Sequence, residues 1–150
     1  MSSMPEVASE WQRFEQLTVE KLYELVRFRQ AIFVVEQRSP YPDLDGLDQG
    51  AWHLLLRVEG ALAGYARLIS PPVRIGRVAV AAELRGHGLG RRLMEEALRF
   101  CRERYPAQDI VLAAQLPLVP FYSSFGFTVI SEPYEDFGVM HVEMRLGWTS

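Results

Sequence analysis

The chain has 150 residues, of which 49% are hydrophobic and 23% charged, and its net charge is -3. This length and composition are typical of one compact globular domain, so we predict a single domain over residues 1–150. The acidic balance does not provide the basic excess of nucleic-acid-binding proteins, so no nucleic-acid partner is expected.

Targeting and redox features are also informative. No run approaches the ~18 apolar residues of a membrane span, and residues 1–10 lack the basic flank and apolar core of a secretion signal. Cys101 is the only cysteine, so an intrachain disulfide is impossible. We therefore expect a cytoplasmic protein with no membrane partner.

In chain order, the N-terminal half predicts a strand, a helix, an acidic loop and a hairpin. Thr18 is expected to cap the helix, because an apolar stripe at helical spacing follows it as far as Phe33. The loop is rich in Pro, Gly and Asp, which favour turns. The predicted bounds are a strand over 11–14, a helix starting after Thr18, a loop over 38–50, and strands over 52–58 and 61–69 joined at 59–60.

The C-terminal half alternates strands and helices, and the whole order predicts an α/β fold with a mixed sheet. The last strand is expected at a sheet edge, where a second copy could pair, so a homodimer is possible. The predicted bounds are a strand over 75–80, a helix over 89–104, a strand over 110–114, a short helix within 116–125, and strands over 128–130 and 139–146.

A glycine-rich turn, Arg85-Gly86-His87-Gly88-Leu89-Gly90, joins a predicted strand to a predicted helix. Backbone N–H groups and the helix dipole converge at such a turn and bind anions. Glycines let the backbone approach a phosphate closely, and His87 is expected to touch it as a polar loop residue. Arg85 and Arg91 place cations where they oppose the dipole unless an anion binds. A purely structural turn would explain the glycines alone equally well.

Together with two later segments, this turn resembles the GCN5-related N-acetyltransferase (GNAT) superfamily. Arg85, Gly88 and Gly90 match the signature Arg/Gln-x-x-Gly-x-Gly/Ala, and Gln115 and Tyr122 keep the family's seven-residue interval between an amide and a tyrosine. Within the superfamily the chain is most similar to the ElaA-like group over nearly its full length. The residues that carry this likeness are Phe33-Val34-Val35-Glu36-Gln37, Tyr41-x-Asp43-x-Asp45-Gly46-x-Asp48, His53 and His141.

The resemblance implies the GNAT fold, a mixed and mostly antiparallel sheet of about seven strands with flanking helices, splayed between strands 4 and 5. It implies acetyl-CoA as cosubstrate and no metal. The residues implied to bind acetyl-CoA are Val78, Ala79, Val80, Arg85, Gly86, His87, Gly88, Leu89, Gly90, Arg91 and Gln115.

The implied activity is direct transfer of an acetyl group to a primary amine of a small molecule or peptide. A backbone N–H near Val78 would polarise the acetyl carbonyl, and Tyr122 would donate a proton to the leaving thiolate. Without the resemblance, Tyr122 would more simply be a packed aromatic residue. A non-catalytic module that binds acyl-CoA is the alternative.

The residues predicted to bind or deprotonate the acceptor amine are polar and lie far apart in the sequence. Glu36 is our candidate base, because it follows apolar residues at the end of the first helix, where desolvation would raise its pKa; a structural carboxylate fits equally well. His53 and His141 suit proton transfer, although a hydrogen-bonded core histidine is the simpler role. Asp45 represents the acidic loop, which would favour cationic amines, and turn and capping roles explain its aspartates equally well. The predicted acceptor-binding set is therefore Glu36, Asp45, His53 and His141.

Overall fold

The computed structural model describes residues 6–147. Within them, no helix is long and apolar enough to cross a membrane. The helices are α1 (Val19–Gln30), α2 (Leu89–Arg104) and α3 (Val119–Ser123), and the strands are β1 (Val7–Arg13), β2 (Trp52–Val58), β3 (Ala61–Ile69), β4 (Val73–Val80), β5 (Ile110–Gln115), β6 (Thr128–Val129), β7 (Tyr134–Asp136) and β8 (Val139–Leu146).

These strands form one sheet in the order β1-β2-β3-β4-β5-β8, with β6 and β7 both pairing with the far side of β8. Every pair is antiparallel except β4 and β5, which run parallel. The predicted fold class is confirmed: a mixed, mostly antiparallel sheet with flanking helices.

Local sequence accounts for the elements that were predicted most closely. The Thr18 hydroxyl accepts a hydrogen bond from the Lys21 N–H at 3.1 Å and so caps α1. Glu59 and Gly60 both adopt positive φ, as a two-residue hairpin turn between β2 and β3 requires. Helix α2 packs on β3 and β4, and its buried face is the predicted one: Leu93, Met94, Ala97, Leu98 and Cys101.

The sheet splays where β4 and β5 should continue side by side. They pair only at Val73 with Ile110 and at Arg74 with Val111. Beyond this point β4 bulges, because Arg77 adopts a φ of 53° and the register with β3 shifts there. A bulge bends its strand and ends regular pairing. The predicted splay between the fourth and fifth strands is therefore present.

Two features of the C-terminal half differ from prediction. Strand β7 was missed, because three residues are too few to show a period-2 pattern, and it brings the sheet to eight strands. The prediction that residues 139–146 form an edge strand was wrong. Strand β8 pairs with β5 on one side and with β6 and β7 on the other, so it offers no free edge to a second copy.

Candidate active site

Two cavities open at the splay and meet there. The turn cavity, of about 430 Å³, lies between the end of β4, the glycine turn at 85–90 and the π-helical turn Ala31–Glu36 that continues α1. The loop cavity, of about 170 Å³, lies between β3, β4, β5, the loop at 37–41 and the β7–β8 hairpin. Residues that line both cavities are Phe33, Gln37, Val78, Gln115, Leu118 and Tyr122.

The glycine turn has the geometry of an anion site. Gly86 and Gly88 have φ of 84° and 81°, and a Cβ placed on either would meet no atom within 4 Å. Gly88 is the N-cap residue of α2, and no side chain within residues 6–147 caps the helix there. The first N–H groups of α2 are thus left for a ligand, and the helix dipole favours a negative one. This backbone fits the diphosphate of a coenzyme A.

Arg85 is anchored at the mouth of the turn cavity. Its Nε donates to the Val80 carbonyl at 3.1 Å, and its two terminal nitrogens donate to the two carboxylate oxygens of Glu36, one of them at 2.8 Å. This hydrogen bonding lowers the pKa of Glu36. The reason given for Glu36 as a base, a pKa raised by desolvation, is therefore wrong. Glu36 lines the turn cavity and not the loop cavity.

Most residues predicted to bind acetyl-CoA line the turn cavity. Two of them, His87 and Arg91, do not line it. His87 lies within the glycine turn. The Arg91 guanidinium lies 4.7 Å over the Phe125 ring and donates to the Ser124 hydroxyl at 3.1 Å. The predicted residues along the turn cavity are Val78, Ala79, Val80, Arg85, Gly86, Gly88, Leu89, Gly90 and Gln115.

Tyr122 lies where the two cavities meet. Its ring packs edge-on against Phe121 and Phe127, and only 6% of the residue is exposed. Burial raises the pKa of the phenol to about 12, so Tyr122 keeps its proton at neutral pH. The site thus presents a hydrogen-bond donor beside the gap between β4 and β5.

The acidic loop is neutralised by three arginines. Arg29, which is fully buried, bonds to Asp43 and Asp48, with its shortest contact of 2.7 Å to Asp48. Arg67 from β3 pairs with Asp45 and Asp48. Arg77 at the β4 bulge pairs with Asp43 and Asp45, each at 3.0 Å. The network ties the loop to α1, β3 and β4.

Two predicted acceptor-binding residues, Asp45 and His53, belong to this network. Burial opposes ionisation of Asp45, but hydrogen bonds from Arg67 and the Leu47 N–H hold its pKa at about 2. His53 is fully buried, with one ring nitrogen 2.6 Å from the Tyr65 hydroxyl and the other 2.9 Å from the Asp48 carbonyl. Neither residue lines the turn cavity or the loop cavity, and the loop's aspartates Asp43, Asp45 and Asp48 are each paired with arginines.

His141 does line the loop cavity. Its backbone pairs with Gln115 of β5 and with Tyr134 of β7, and its ring stacks on the Tyr134 ring at 5.9 Å. Its Nδ1 lies 2.9 Å from the Val139 carbonyl oxygen. Because a carbonyl oxygen only accepts, Nδ1 carries the hydrogen and the lone pair of the neutral ring is on Nε2.

Sequence reasoning missed two groups of the loop cavity. Asp136, on the short strand β7, lines the cavity, and so does Tyr41, whose ring Arg77 covers at 4.8 Å. Asp136 is followed by Phe137-Gly138, and that tight turn before a strand was the only signal available. Its place in the cavity depends on strand pairing, which the local sequence does not reveal.

Comparisons with known proteins agree with this geometry. The acetyltransferase (GNAT) domain family model matches residues 17–147. Protein ElaA of Escherichia coli is 41% identical over 144 residues, covering 90% of this chain and 94% of ElaA. The UPF0039 protein sll0451 of Synechocystis is 39% identical over 93% of this chain and 94% of its own length. An acyl-CoA N-acyltransferase structure from Pseudomonas aeruginosa superposes with a TM-score of 0.89 at 35% identity, covering 93% and 99% of the two chains.

Proposed function

Because this chain belongs to the GNAT acetyltransferase family, and within it to the ElaA-like group, we propose that it transfers an acetyl group from acetyl-CoA to a primary amine. Family and fold already make it an acyl-CoA-dependent acyltransferase. The proposal adds the acetyl group and the amine acceptor, a small molecule or a peptide.

One observation carries the proposal: two cavities of different character meet at the splay. The turn cavity ends in uncapped helix N–H groups and positive-φ glycines, which suit a diphosphate. The loop cavity ends in ionisable side chains. Two reactants that enter from opposite sides would meet at the shared residues Val78, Gln115 and Tyr122, and no covalent enzyme intermediate is then needed.

The chain's own groups supply the rest of the chemistry. When bound, acetyl-CoA would supply a thioester whose carbonyl carbon accepts the amine. Its pantetheine arm would lie along Val78, Ala79 and Val80, because in the described part of the chain the splay leaves this side of the β4 backbone without a partner strand. The Val78 N–H would stabilise the oxyanion that develops, an effect worth about 3 kcal/mol for one well-placed donor.

Tyr122 would assist departure of the thiolate. A phenol of pKa about 12 is a weaker acid than a thiol, whose ordinary pKa is about 8.5. Full proton transfer from buried Tyr122 to the sulfur is therefore uphill. Tyr122 would act chiefly by donating a hydrogen bond to the sulfur as the carbon–sulfur bond breaks, and the thiolate would gain its proton as the product leaves.

The test is thiol release from acetyl-CoA with a panel of primary amines, run beside calorimetric titration of the protein with CoA. We expect release that depends on both the acceptor and the enzyme, and saturable CoA binding. Tight CoA binding without acceptor-dependent release from any amine would favour the non-catalytic binding module instead. Absence of CoA binding would refute both functions.

A further inference from the structure

The charges around the loop cavity balance except at one place. Four guanidinium groups, those of Arg29, Arg67, Arg74 and Arg77, are paired with four carboxylates of the loop and of β8, namely Asp43, Asp45, Asp48 and Glu143. Asp136 stands outside this balance. Within residues 6–147 it forms no ion pair, and it lies close enough to Tyr41 and Tyr134 to raise the pKa of both phenols, although burial is the larger cause.

The carboxylate of Asp136, which forms no ion pair in the described part of the chain, can pair with one ammonium group of an acceptor. A diamine or polyamine would have to place a second positive charge in a cavity around which the other carboxylates are already paired with arginines. An amino acid would bring a carboxylate, but Glu143 already binds Arg74 at 2.6 Å and accepts from the Tyr134 hydroxyl at 2.8 Å. The balance therefore favours a monoamine.

Apart from the polar side chains of Gln37, Ser39 and Gln115, the rest of the wall is aliphatic and aromatic. Phe33 and Tyr41 lie with ring centroids 6.3 Å apart, and Tyr41 meets the half-exposed Phe137 edge to face at 5.7 Å. A space of roughly 150 Å³ holds a benzene ring, and the loop cavity is about 170 Å³. The aliphatic side chains that complete the wall are Ile69, Ile75, Leu112, Leu118 and Val139.

We propose, resting on the acetyltransferase function above, that the acceptor is a primary monoamine with an aromatic or comparable apolar body, whose ammonium is bound by Asp136 and deprotonated at His141. The arylalkylamine would enter beside Phe137 with its ring against Tyr41 and Phe33. His141 is suited to the second step because its Nε2 carries the lone pair while Nδ1 is held by the Val139 carbonyl.

The proton balance is complete. The ammonium gives its first proton to His141 Nε2, which passes it to solvent, and the neutral nitrogen then forms the C–N bond to the acetyl carbon. The C–S bond breaks, the nitrogen loses its second proton, and the thiolate gains one proton as the free thiol. The products are the N-acetylamine, CoA thiol and one proton in solution.

The first test compares acceptors that differ in one feature. The probe is 2-phenylethylamine; phenylalanine adds a carboxylate to it, and putrescine replaces the ring by a second amine. We expect kcat/KM for 2-phenylethylamine to exceed that for either comparison amine at least tenfold. Equal values, or a preference for phenylalanine or putrescine, overturn this inference and leave the acetyltransferase function standing. No release from any amine would remove the proposed function itself.

The second test separates binding from proton transfer. Calorimetry measures 2-phenylethylamine binding to the enzyme saturated with CoA, which cannot react. Asp136→Asn should weaken this binding at least tenfold, whereas Glu135→Gln, on the adjacent and exposed residue of β7, should leave it unchanged. His141→Gln should leave binding within twofold and lower kcat about 100-fold or more. Unchanged binding in Asp136→Asn, or unchanged kcat in His141→Gln, overturns the proposal; CoA affinity and melting temperature confirm that each variant is folded.

Discussion

The ion pair between Glu36 and Arg85 leads to a quantitative prediction about donor binding. Arg85 lines the turn cavity with both terminal nitrogens on the Glu36 carboxylate, so a diphosphate that binds Arg85 must first displace Glu36. The two side chains are 43% and 40% exposed. Exposed pairs are worth about 0.2–1 kcal/mol, which corresponds to about 1.4- to 5-fold in Kd. Glu36→Gln removes this competition and should tighten CoA binding by that factor.

The assay is calorimetric titration with CoA at 50 mM and 500 mM salt. The gain in affinity should shrink at high salt, because screening weakens the exposed pair. Glu83→Gln is the matched control, since Glu83 also acts electrostatically on Arg85 but neither bonds to it nor lines the cavity. Pantetheine, which lacks the diphosphate, should bind both proteins equally. Weaker CoA binding in Glu36→Gln would refute the reasoning and identify the pair as a clamp that holds the turn open.

Three further predictions concern the splay, the turn and the loop. Tyr122→Phe should lower kcat about 10- to 160-fold, the value of one hydrogen bond to a charged group, with CoA affinity unchanged in calorimetry; unaltered kcat would remove Tyr122 from the mechanism. Gly88→Ala and Gly60→Ala place a Cβ at the same φ of 81° in open surroundings, so both should lose about 1–2 kcal/mol of stability in urea unfolding. Only Gly88→Ala should weaken CoA binding, and equal affinity in both variants would argue against the diphosphate site. Arg29→Met removes the fully buried cation from Asp43 and Asp48, which keep only Arg77 and Arg67 as partners, and should lower the free energy of unfolding at pH 7 by about 3 kcal/mol; a loss below 1 kcal/mol would contradict the network.

The same network sets a direction for the pH dependence of stability. The pKa of Asp45 in the folded protein, about 2, lies below its ordinary value near 3.8. Its contribution is therefore fully present above the ordinary value and is lost as the pH falls from there through about 2. The stability of Asp45→Asn should therefore fall less over this pH range than the stability of the unmodified protein. Unfolding by acid at a fixed urea concentration, followed by circular dichroism, would measure the difference.

The site was predictable to the extent that its residues follow one another in the chain. The glycine turn lies between a strand and a helix within about ten residues, and its backbone geometry is a local property of glycine and of the start of α2. Likewise Gln115 and Tyr122 are positioned by the end of β5 and by α3, seven residues apart. These residues line the turn cavity or its junction with the loop cavity.

The acceptor side was not predictable in the same way, because its charges are paired across the fold. An aspartate in a loop has the same local sequence whether it faces solvent or an arginine, and Asp43 meets Arg77 across 34 residues while Glu36 meets Arg85 across 49. Burial of His53 depends on β3 lying beside β2 and on Tyr65 supplying a hydroxyl.

The sequence by itself determined the order of the elements, the buried face of α2, the hairpin at 59–60 and the glycine turn before α2, since each follows from backbone preferences and side-chain periodicity within one segment. Only the tertiary structure decided which charged side chains are paired with one another and which are left to bind a ligand. It paired the acidic loop with arginines from α1, β3 and β4, paired Glu36 with Arg85, and placed Asp136 and His141 in the wall of one cavity. The physical reason is that a charge acts through its nearest partners in space, and strand pairing selects those partners.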